Sequence, residues 1–354
     1  MILSRFKSNW KIKIHFDWLD KYLNNLSGFA YPICLEIDPS NACPLNCNHC
    51  WWKRFREEVG EKIPKEKLLS LVKQAVSLGV KAIIWTGGGE PLSNPATIDA
   101  IKLANELRLQ NGLFTNGVLL DEKKAGVLAD GLDWIRFNMA GSDRKSYSLA
   151  HQVPPDVFSH VCDNIKMFIK AGGRKVDVGI GTVINQKNFE GIKKLPYLAV
   201  ELGVEYFQGK LDFQQIGTDE YIKWWESTVI PYFDKVEEEL KGKIKIHVFR
   251  DPIVRKTEVL YCHAHRIITA ITADGRVVFC KMRRDQKDTT LGSIYENDLK
   301  EIFEGEKQRE IAGRIHPKTC HILNVFCPYR TTNEAIEELK EICESTPATH
   351  RNFF

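Results

Sequence analysis

The sequence predicts an α/β fold in which a partial (β/α)6 TIM-like barrel is followed by a smaller C-terminal domain containing a β-hairpin. Strand and helix patterns alternate six times between residues 31 and 240, which is typical of a parallel sheet. Six units are too few to close an eight-stranded barrel, and the alternation stops near Pro252. We therefore expect an N-terminal extension (1–30), a barrel (31–250) and a C-terminal domain (251–354).

The barrel begins with a buried apolar strand, Tyr31–Asp38, and a helix, Lys65–Leu78, which Pro64 starts and Gly79 ends. The later elements follow from the same apolar periodicity and the same Gly and Pro boundaries. In chain order they are strand Lys81–Trp85, helix Pro95–Leu107, strand Gly112–Thr115, helix Glu122–Ala129, strand Asp133–Asn138, helix Asp156–Ala171, strand Lys175–Ile184, helix Phe189–Leu202, strand Glu205–Gln208 and an amphipathic helix from about Asp219 to Leu240.

The C-terminal domain opens with a predicted hairpin over Arg266–Met282, whose turn is Ala273-Asp274-Gly275. Two helical stretches follow, Asp298–Ile311 and Asn333–Cys343. Four cysteines of this domain come before the last predicted helix. Cys262 precedes the hairpin, Cys280 is on its return strand, and Cys320 and Cys327 lie between the two helices.

Composition limits the classes of function. The chain has 354 residues, is 43% hydrophobic and 27% charged, and carries a net charge of +4. This charge is too small to indicate a nucleic-acid partner, but it suits an acidic protein partner such as a small electron carrier. No apolar run approaches the ~18 residues of a membrane span, and the start has no signal-peptide core. We expect a cytoplasmic protein, where ten cysteines point to metal or redox chemistry.

Three cysteines with C-x3-C-x2-C spacing, Cys43, Cys47 and Cys50, follow the first strand. Thiolates this close together can converge on one inorganic centre, and they are the usual protein ligands of iron–sulfur clusters. A four-iron cluster held by three thiolates keeps one iron open for chemistry. The alternatives are a structural zinc site, which normally has four ligands in paired C-x2-C units, and a disulfide with a spare thiol, which needs an oxidising compartment.

A glycine turn, Gly87-Gly88-Gly89-Glu90-Pro91, follows the second strand, so it and the cysteine loop are expected at the same edge of the sheet. The two motifs, in this order and on these elements, resemble the radical S-adenosylmethionine (SAM) enzymes. The resemblance covers residues 31 to about 345. The spacing of Cys262, Gly275 and Cys280, with twelve and four residues between them, resembles the C-terminal SPASM or Twitch domain of one subgroup of that family.

The resemblance implies a mechanism. Cys43, Cys47 and Cys50 would hold a [4Fe–4S] cluster that binds SAM at its open iron. Reductive cleavage of SAM, with electrons from a flavodoxin- or ferredoxin-type protein, would give a 5′-deoxyadenosyl radical that abstracts a hydrogen atom from substrate. The cofactor-binding residues implied are Gly88, Gly89 and Glu90 for the SAM amine, Asn138 for its ribose or carboxylate, Ile184 for the adenine, and His49, which replaces the usual aromatic carbocycle near the adenine.

The same resemblance implies one auxiliary [4Fe–4S] cluster, acting as an electron conduit, on Cys262, Cys280, Cys320 and Cys327. Cys343 is the other candidate for the fourth ligand. A full SPASM domain with two clusters would need more cysteines than follow residue 255, which favours a Twitch-like domain.

The substrate is the least determined property. Polar residues at predicted strand ends, Thr115, Asn116, Arg136, Gln208 and Lys210, are candidates for a substrate pocket, and no catalytic acid, base or hydrogen donor can be named. The family's enzymes of this subgroup act either on small polar molecules, such as sugars and aminocyclitols, or on peptides that they crosslink or epimerise. Only 30 residues precede the first strand, fewer than a leader-binding module needs, which favours a small molecule. A two-cluster electron-transfer protein is a third alternative, but it would not need Gly88-Gly89-Glu90.

Overall fold

The structure is a computed structural model, and it describes residues 11–24, 30–53, 61–172, 175–250, 259–317, 320 and 327–345, with the side chains of residues 24 and 343–345 excepted. Its strands, in chain order, are β1 (Cys34–Ile37), β2 (Ala82–Trp85), β3 (Gln110–Thr115), β4 (Trp134–Asn138), β5 (Asp177–Ile184), β6 (Tyr206–Leu211), β7 (Lys245–Val248), β8 (Ile268–Ile271), β9 (Arg276–Val278) and β10 (Thr290–Ser293).

The helices cover the outer face of the sheet and the C-terminal part of the chain. They are α1 (Phe16–Asn24), α2 (Lys65–Ser77), α3 (Ala96–Glu106), α4 (Glu122–Gly131), α5 (Arg144–His151), α6 (Asp156–Lys170), α7 (Phe189–Ile192), α8 (Leu195–Leu202), α9 (Asp219–Trp224), α10 (Ile230–Glu239), α11 (Ala264–Ile267), α12 (Leu299–Glu304), α13 (Glu306–Arg314) and α14 (Arg330–Ser345).

The sheet has the order β10-β9-β8-β1-β2-β3-β4-β5-β6-β7, in which β1 to β7 are neighbours in chain order and parallel. This arrangement confirms the predicted α/β fold with its parallel, partial barrel. All six predicted strands are present. The short edge strand β7, parallel to β6, is an addition that the sequence reading missed, because four residues of mixed polarity give little periodic signal.

The core lies between the sheet and its helices. Helix α2 buries Leu68, Leu71, Val72 and Ala75, which recur every three to four residues on one face. The same apolar core continues into the C-terminal part of the chain through the fully buried side chain of Phe279. The barrel and the C-terminal elements therefore share one packed interior.

Three predicted helices are interrupted in the structure. Phe189–Leu202 divides into α7 and α8, and Pro196, which has no N–H to donate, lies in the first turn of α8. Asp219–Leu240 divides at a π-helical turn, Trp225–Val229, ahead of Pro231 in α10. Asp298–Ile311 divides at Gly305, which has extended backbone angles between α12 and α13.

The predicted hairpin is formed by β8 and β9, with Gly275 in the left-handed region at φ +84°. Strand β8 pairs in parallel with β1, and β10 adds a third antiparallel strand. A second, smaller apolar cluster joins Leu19 and Tyr22 of α1 to Ile336 of α14, so the N-terminal helix packs on the C-terminal one. The three segment boundaries stay predictions. No helix in the described ranges is both long and apolar enough to cross a membrane.

Candidate active site

A cavity of about 1050 Å³ opens at the carboxyl ends of the parallel strands. Its wall contains the cysteine loop after β1, the glycine turn after β2 and side chains at the ends of β3 to β6. On the opposite side it contains residues of the C-terminal part of the chain, including Cys327. Both sequence motifs therefore meet in one space, as the edge rule for parallel sheets predicts.

The cysteine loop brings Cys43, Cys47 and Cys50 to the cavity, with Cys47 buried and the other two half-buried. The N–H groups of Asn46 and Asn48 donate to the carbonyl oxygens of His151 and Ala150, at 3.1 and 3.0 Å. The loop is thus fixed to the end of α5 by backbone hydrogen bonds.

His151 is fully buried behind Cys47, and its hydrogen bonds fix its tautomer. Nε2 accepts the N–H of Ala140 at 2.9 Å, so the neutral ring carries its proton on Nδ1, which lies 3.0 Å from Cys47 Sγ and donates to it. Burial, with a smaller contribution from His49, holds the pKa of His151 well below its usual range, so the ring stays neutral.

Ligand atoms of Cys47, His49 and His151 lie within 4.8 Å of one another, a spacing that a metal ion could bridge. His151, however, uses the lone pair of Nε2 on Ala140 and carries a proton on Nδ1, so neither nitrogen can bind a metal in this arrangement. Burial lowers the pKa of His49 to about 4. The three thiols and the neutral ring of His49 therefore remain as the groups of the loop that could bind a metal.

The surroundings of the thiols fit an iron–sulfur cluster. N–H groups that point at ligand sulfurs stabilise the negative charge of such clusters. His151 supplies one to Cys47, and the Asn116 side chain supplies another to Cys43, at 3.6 Å. Sequence reasoning missed His151, because a lone histidine 104 residues from its partner has no local signal.

The glycine turn packs directly against the cysteine loop. The N–H of Gly89 donates to the carbonyl of Ser40 at 3.1 Å, and that of Glu90 donates to the carbonyl of Ala42 at 2.8 Å. A Cβ on Gly89 would lie 2.3 Å from the Ala42 oxygen, so a residue with a side chain cannot approach this closely. The turn needs glycine because it forms one rigid unit with the loop that carries Cys43.

Glu90 is buried, and its carboxylate has three hydrogen-bond donors. The Thr115 hydroxyl and the Asn116 N–H donate at 2.7 Å each, and the Leu92 N–H donates at 3.2 Å. No cation pairs with the carboxylate among the described ion pairs. Burial raises the pKa of Glu90 to about 7 even though all three hydrogen bonds favour the ionised form. The ionised carboxylate is therefore poorly compensated at the cavity wall, and it binds a proton more readily than an exposed glutamate does.

The other residues predicted to bind SAM are placed as follows. Asn138, at the end of β4, and the half-buried His49 line the cavity together with Gly88, Gly89 and Glu90. Ile184 is buried behind the wall, where its carbonyl accepts the Tyr221 hydroxyl at 2.7 Å, and its neighbour Val183 lines the cavity. The predicted substrate-pocket residues Thr115, Asn116, Arg136, Gln208 and Lys210 all line it.

The C-terminal thiols of Cys262, Cys280, Cys320 and Cys327 come together on the other side of the cavity. They lie close enough that the charges of Cys280, Cys262 and Cys320 each raise the pKa of Cys327, although burial contributes most. Three of the sulfurs accept a hydrogen bond: Cys320 from the Arg283 guanidinium at 3.3 Å, Cys327 from the Tyr329 N–H at 3.4 Å, and Cys262 from the Asn333 amide at 4.0 Å. This donor set also fits a cluster. The side chain of Cys343 lies outside the described residues.

A buried ionic network joins the two halves of the site. Arg284, four residues after Cys280, donates to both carboxylate oxygens of Asp38 at 2.8 and 2.6 Å, and to Glu36 at 3.2 Å. Lys281 donates to the other oxygen of Glu36 at 2.6 Å. Glu36 and Asp38 are two positions apart at the end of β1, so they lie on the same face of the strand. The network therefore fixes the segment after Cys280 against the first barrel strand.

Two family profiles match the chain in separate regions. Residues 37–207 match the radical SAM superfamily, and residues 262–328 match the SPASM iron–sulfur cluster-binding domain. The chain is a radical SAM enzyme with a SPASM domain. Its cofactors are accordingly SAM, a SAM-binding [4Fe–4S] cluster and auxiliary iron–sulfur centres.

Individual relatives of this radical SAM enzyme are distant. A PqqA peptide cyclase of Gluconobacter oxydans is 24% identical over 290 residues, which cover 77% of this chain and 76% of that protein. A probable GTP 3′,8-cyclase of Saccharolobus islandicus is 25% identical over 296 residues, covering 77% and 91%. The crystal structure of Streptococcus suis SuiB bound to precursor peptide SuiA superposes with a TM-score of 0.68 at 17% identity, covering 92% of this chain and 78% of SuiB, which establishes a shared fold.

Proposed function

We propose that this radical SAM enzyme modifies a peptide in the cavity between its two cysteine sites. One observation carries the proposal: the cavity extends from Cys43, Cys47 and Cys50 to Cys327, so a substrate inside it would face both centres. The likeness to a PqqA peptide cyclase, and to the fold of SuiB in complex with a precursor peptide, supports a peptide over the small polar molecule that the sequence favoured.

In this proposal Cys43, Cys47 and Cys50 would hold the SAM-binding cluster. His151 and Asn116 would donate to the ligand sulfurs of Cys47 and Cys43. When bound, the cluster and SAM would supply the radical chemistry that abstracts hydrogen from substrate. Glu90 would pair with the SAM ammonium, and this pairing supplies the cation that its carboxylate lacks. Carbonyl oxygens of Gly88 and Gly89 would serve as further acceptors, and Asn138 would contact the ribose or carboxylate.

Cys262, Cys280, Cys320 and Cys327 would hold one auxiliary [4Fe–4S] cluster that carries electrons between the substrate and a flavodoxin- or ferredoxin-type partner. Their mutual proximity supports this ligand set. The Arg283 guanidinium beside Cys320 would stabilise the negative charge of the bound cluster, because a fixed cation next to a ligand sulfur opposes that charge.

A second candidate is a small polar substrate. The probable GTP 3′,8-cyclase supports it, because the match covers 91% of that protein. The two candidates differ in what the reconstituted enzyme would consume.

The test incubates anaerobically reconstituted protein with SAM, dithionite and synthetic peptides encoded next to its gene, with GTP and a sugar panel in parallel. We expect a mass change in one peptide, which tandem mass spectrometry localises to a side chain, and no consumption of GTP. Consumption of GTP or a sugar, with every peptide unchanged, would replace the peptide proposal by the second candidate.

A further inference from the structure

Among the described residues, six lysine and arginine side chains line the cavity, and four of them have a carboxylate partner. Arg250 pairs with Asp234 and Glu237, Arg330 with Glu334, and Lys281 and Arg284 with Glu36 and Asp38. Among the described ion pairs, neither Arg136 nor Lys210 has such a partner. Within the described part of the chain, the inner wall of the cavity therefore presents two cations that no carboxylate pairs with directly.

Arg136 on β4 and Lys210 on β6 face the same aromatic ring. The guanidinium carbon of Arg136 lies 4.0 Å from the centre of the Phe114 ring, and Nζ of Lys210 lies 5.2 Å from it. Arg136 passes over Gly181, where a Cβ would come within 2.8 Å of its Cδ, so the glycine makes room for it. The Gln208 amide oxygen accepts from Arg136 Nη1, and Nε of Arg136 is buried with no hydrogen-bond partner among the residues that the structure describes.

This arrangement has an electrostatic cost in the free protein. Burial lowers the pKa of Arg136 to about 10, and burial together with the neighbouring charge of Arg136 holds the pKa of Lys210 well below its usual range. Glu36, the acid that acts on both, is already bound by Lys281 and Arg284. Attraction to the Phe114 ring offsets part of the cost. An anion from outside the protein would offset the rest, and its fork of N–H donors makes Arg136 suited to a planar carboxylate.

We propose that Arg136 and Lys210 bind a side-chain carboxylate of the peptide substrate, so that the enzyme requires an aspartate or glutamate near the modified residue. The assignment of a peptide as the substrate rests on the proposed function, but the anion site itself rests on the contacts described above. Gln208 would help to orient the carboxylate by fixing the guanidinium plane.

The test measures equilibrium binding of two blocked tripeptides, acetyl-Gly-Glu-Gly-amide and its glutamine isostere, to the reconstituted, SAM-bound enzyme. We expect the glutamate peptide to bind at least tenfold more tightly. Lys210→Met should bring the ratio close to one. Gln208→Glu should do the same while keeping both cations, because it places a carboxylate beside Arg136. Lys65→Met, an exposed lysine outside the cavity, is the matched control and should keep the preference.

Equal binding of the two tripeptides to wild-type enzyme, or an unchanged preference in both cavity variants, would overturn the proposal. If Lys210→Met lost as much affinity for SAM as for the glutamate peptide, the proposal would be overturned too, since the cations would then serve the cofactor. Tighter binding of GTP than of the glutamate peptide at this site would overturn the assignment to a peptide. If the glutamate preference holds while no precursor peptide is modified, the anion site stands and the proposed function fails.

Discussion

Replacing Glu90 by glutamine should stabilise the folded apoprotein at high pH while weakening its grip on SAM. Burial without a partner cation raises the pKa of this carboxylate from 4.5 to about 7, and it outweighs the three accepted hydrogen bonds, which favour the ionised form. At about 1.36 kcal/mol for each tenfold change in proton dissociation, that rise corresponds to roughly 3 kcal/mol.

Proton linkage gives the direction in which the stability of the folded state changes with pH. Because the folded state holds the Glu90 proton more tightly than the unfolded state does, ionisation reduces stability progressively above pH 4.5, and the loss is complete above pH 7. Wild-type apoprotein should therefore lose roughly 2.5 kcal/mol more than Glu90→Gln between pH 5 and pH 8. The amide's own mispairing, with its NH₂ facing the Asn116 or Leu92 N–H, should cost about 1–3 kcal/mol at both pH values.

The assay is urea unfolding of both apoproteins at pH 5 and pH 8, with the exposed-residue variant Glu106→Gln as control. In reconstituted protein of unchanged iron content, the affinity of Glu90→Gln for SAM should fall roughly ten- to hundredfold, because a hydrogen bond to a charged group is worth about 1.5–3 kcal/mol. If the stability difference from wild type is the same at both pH values, the buried charge is not the destabilising group that the geometry indicates.

Three further changes test other parts of the site. Arg284→Met leaves the buried carboxylate of Asp38 unpaired, so urea titration should show a loss of roughly 3–5 kcal/mol, and a loss under 1 kcal/mol would contradict the network. Replacing Cys262 and Cys280 by alanine should lower reconstituted iron from about eight to about four per chain, whereas unchanged iron would remove these ligands. His151→Phe deletes the N–H donor to Cys47. If that hydrogen bond favours the reduced cluster by about 1 kcal/mol, the midpoint potential of the cluster should fall by roughly 40 mV. An unchanged potential would show that the bond does not tune the cluster.

Much of the fold could be predicted because its signals are local. The helix predicted over Asp156–Ala171 is observed as Asp156–Lys170, and the strand predicted to end at Asn138 does so. Apolar periodicity with Pro and Gly boundaries determines such elements. The chain-order arrangement of the parallel strands follows, because each helical connection returns the chain to the same side of the sheet.

The parts that were missed depend on contacts between distant residues. The pairs His151–Cys47 and Arg284–Asp38 are separated by 104 and 246 positions, and nothing near either member in the sequence indicates its partner. Glu90 shows both situations. Its motif predicted a place at the cavity, but two of its three donors, Thr115 and Asn116, come from the end of another strand, and its raised pKa comes from burial. Family resemblance supplied the roles of the cysteines, which spacing alone left open between a cluster and zinc.

The central claim is that the loop of Cys43, Cys47 and Cys50 carries out reductive cleavage of SAM. Release of 5′-deoxyadenosine from anaerobically reconstituted enzyme with dithionite and SAM tests it directly, with Cys47→Ala against Cys34→Ala, a strand cysteine outside the loop, as control. We predict release by wild type and by Cys34→Ala, and none by Cys47→Ala. Release at the wild-type rate from Cys47→Ala would contradict the account.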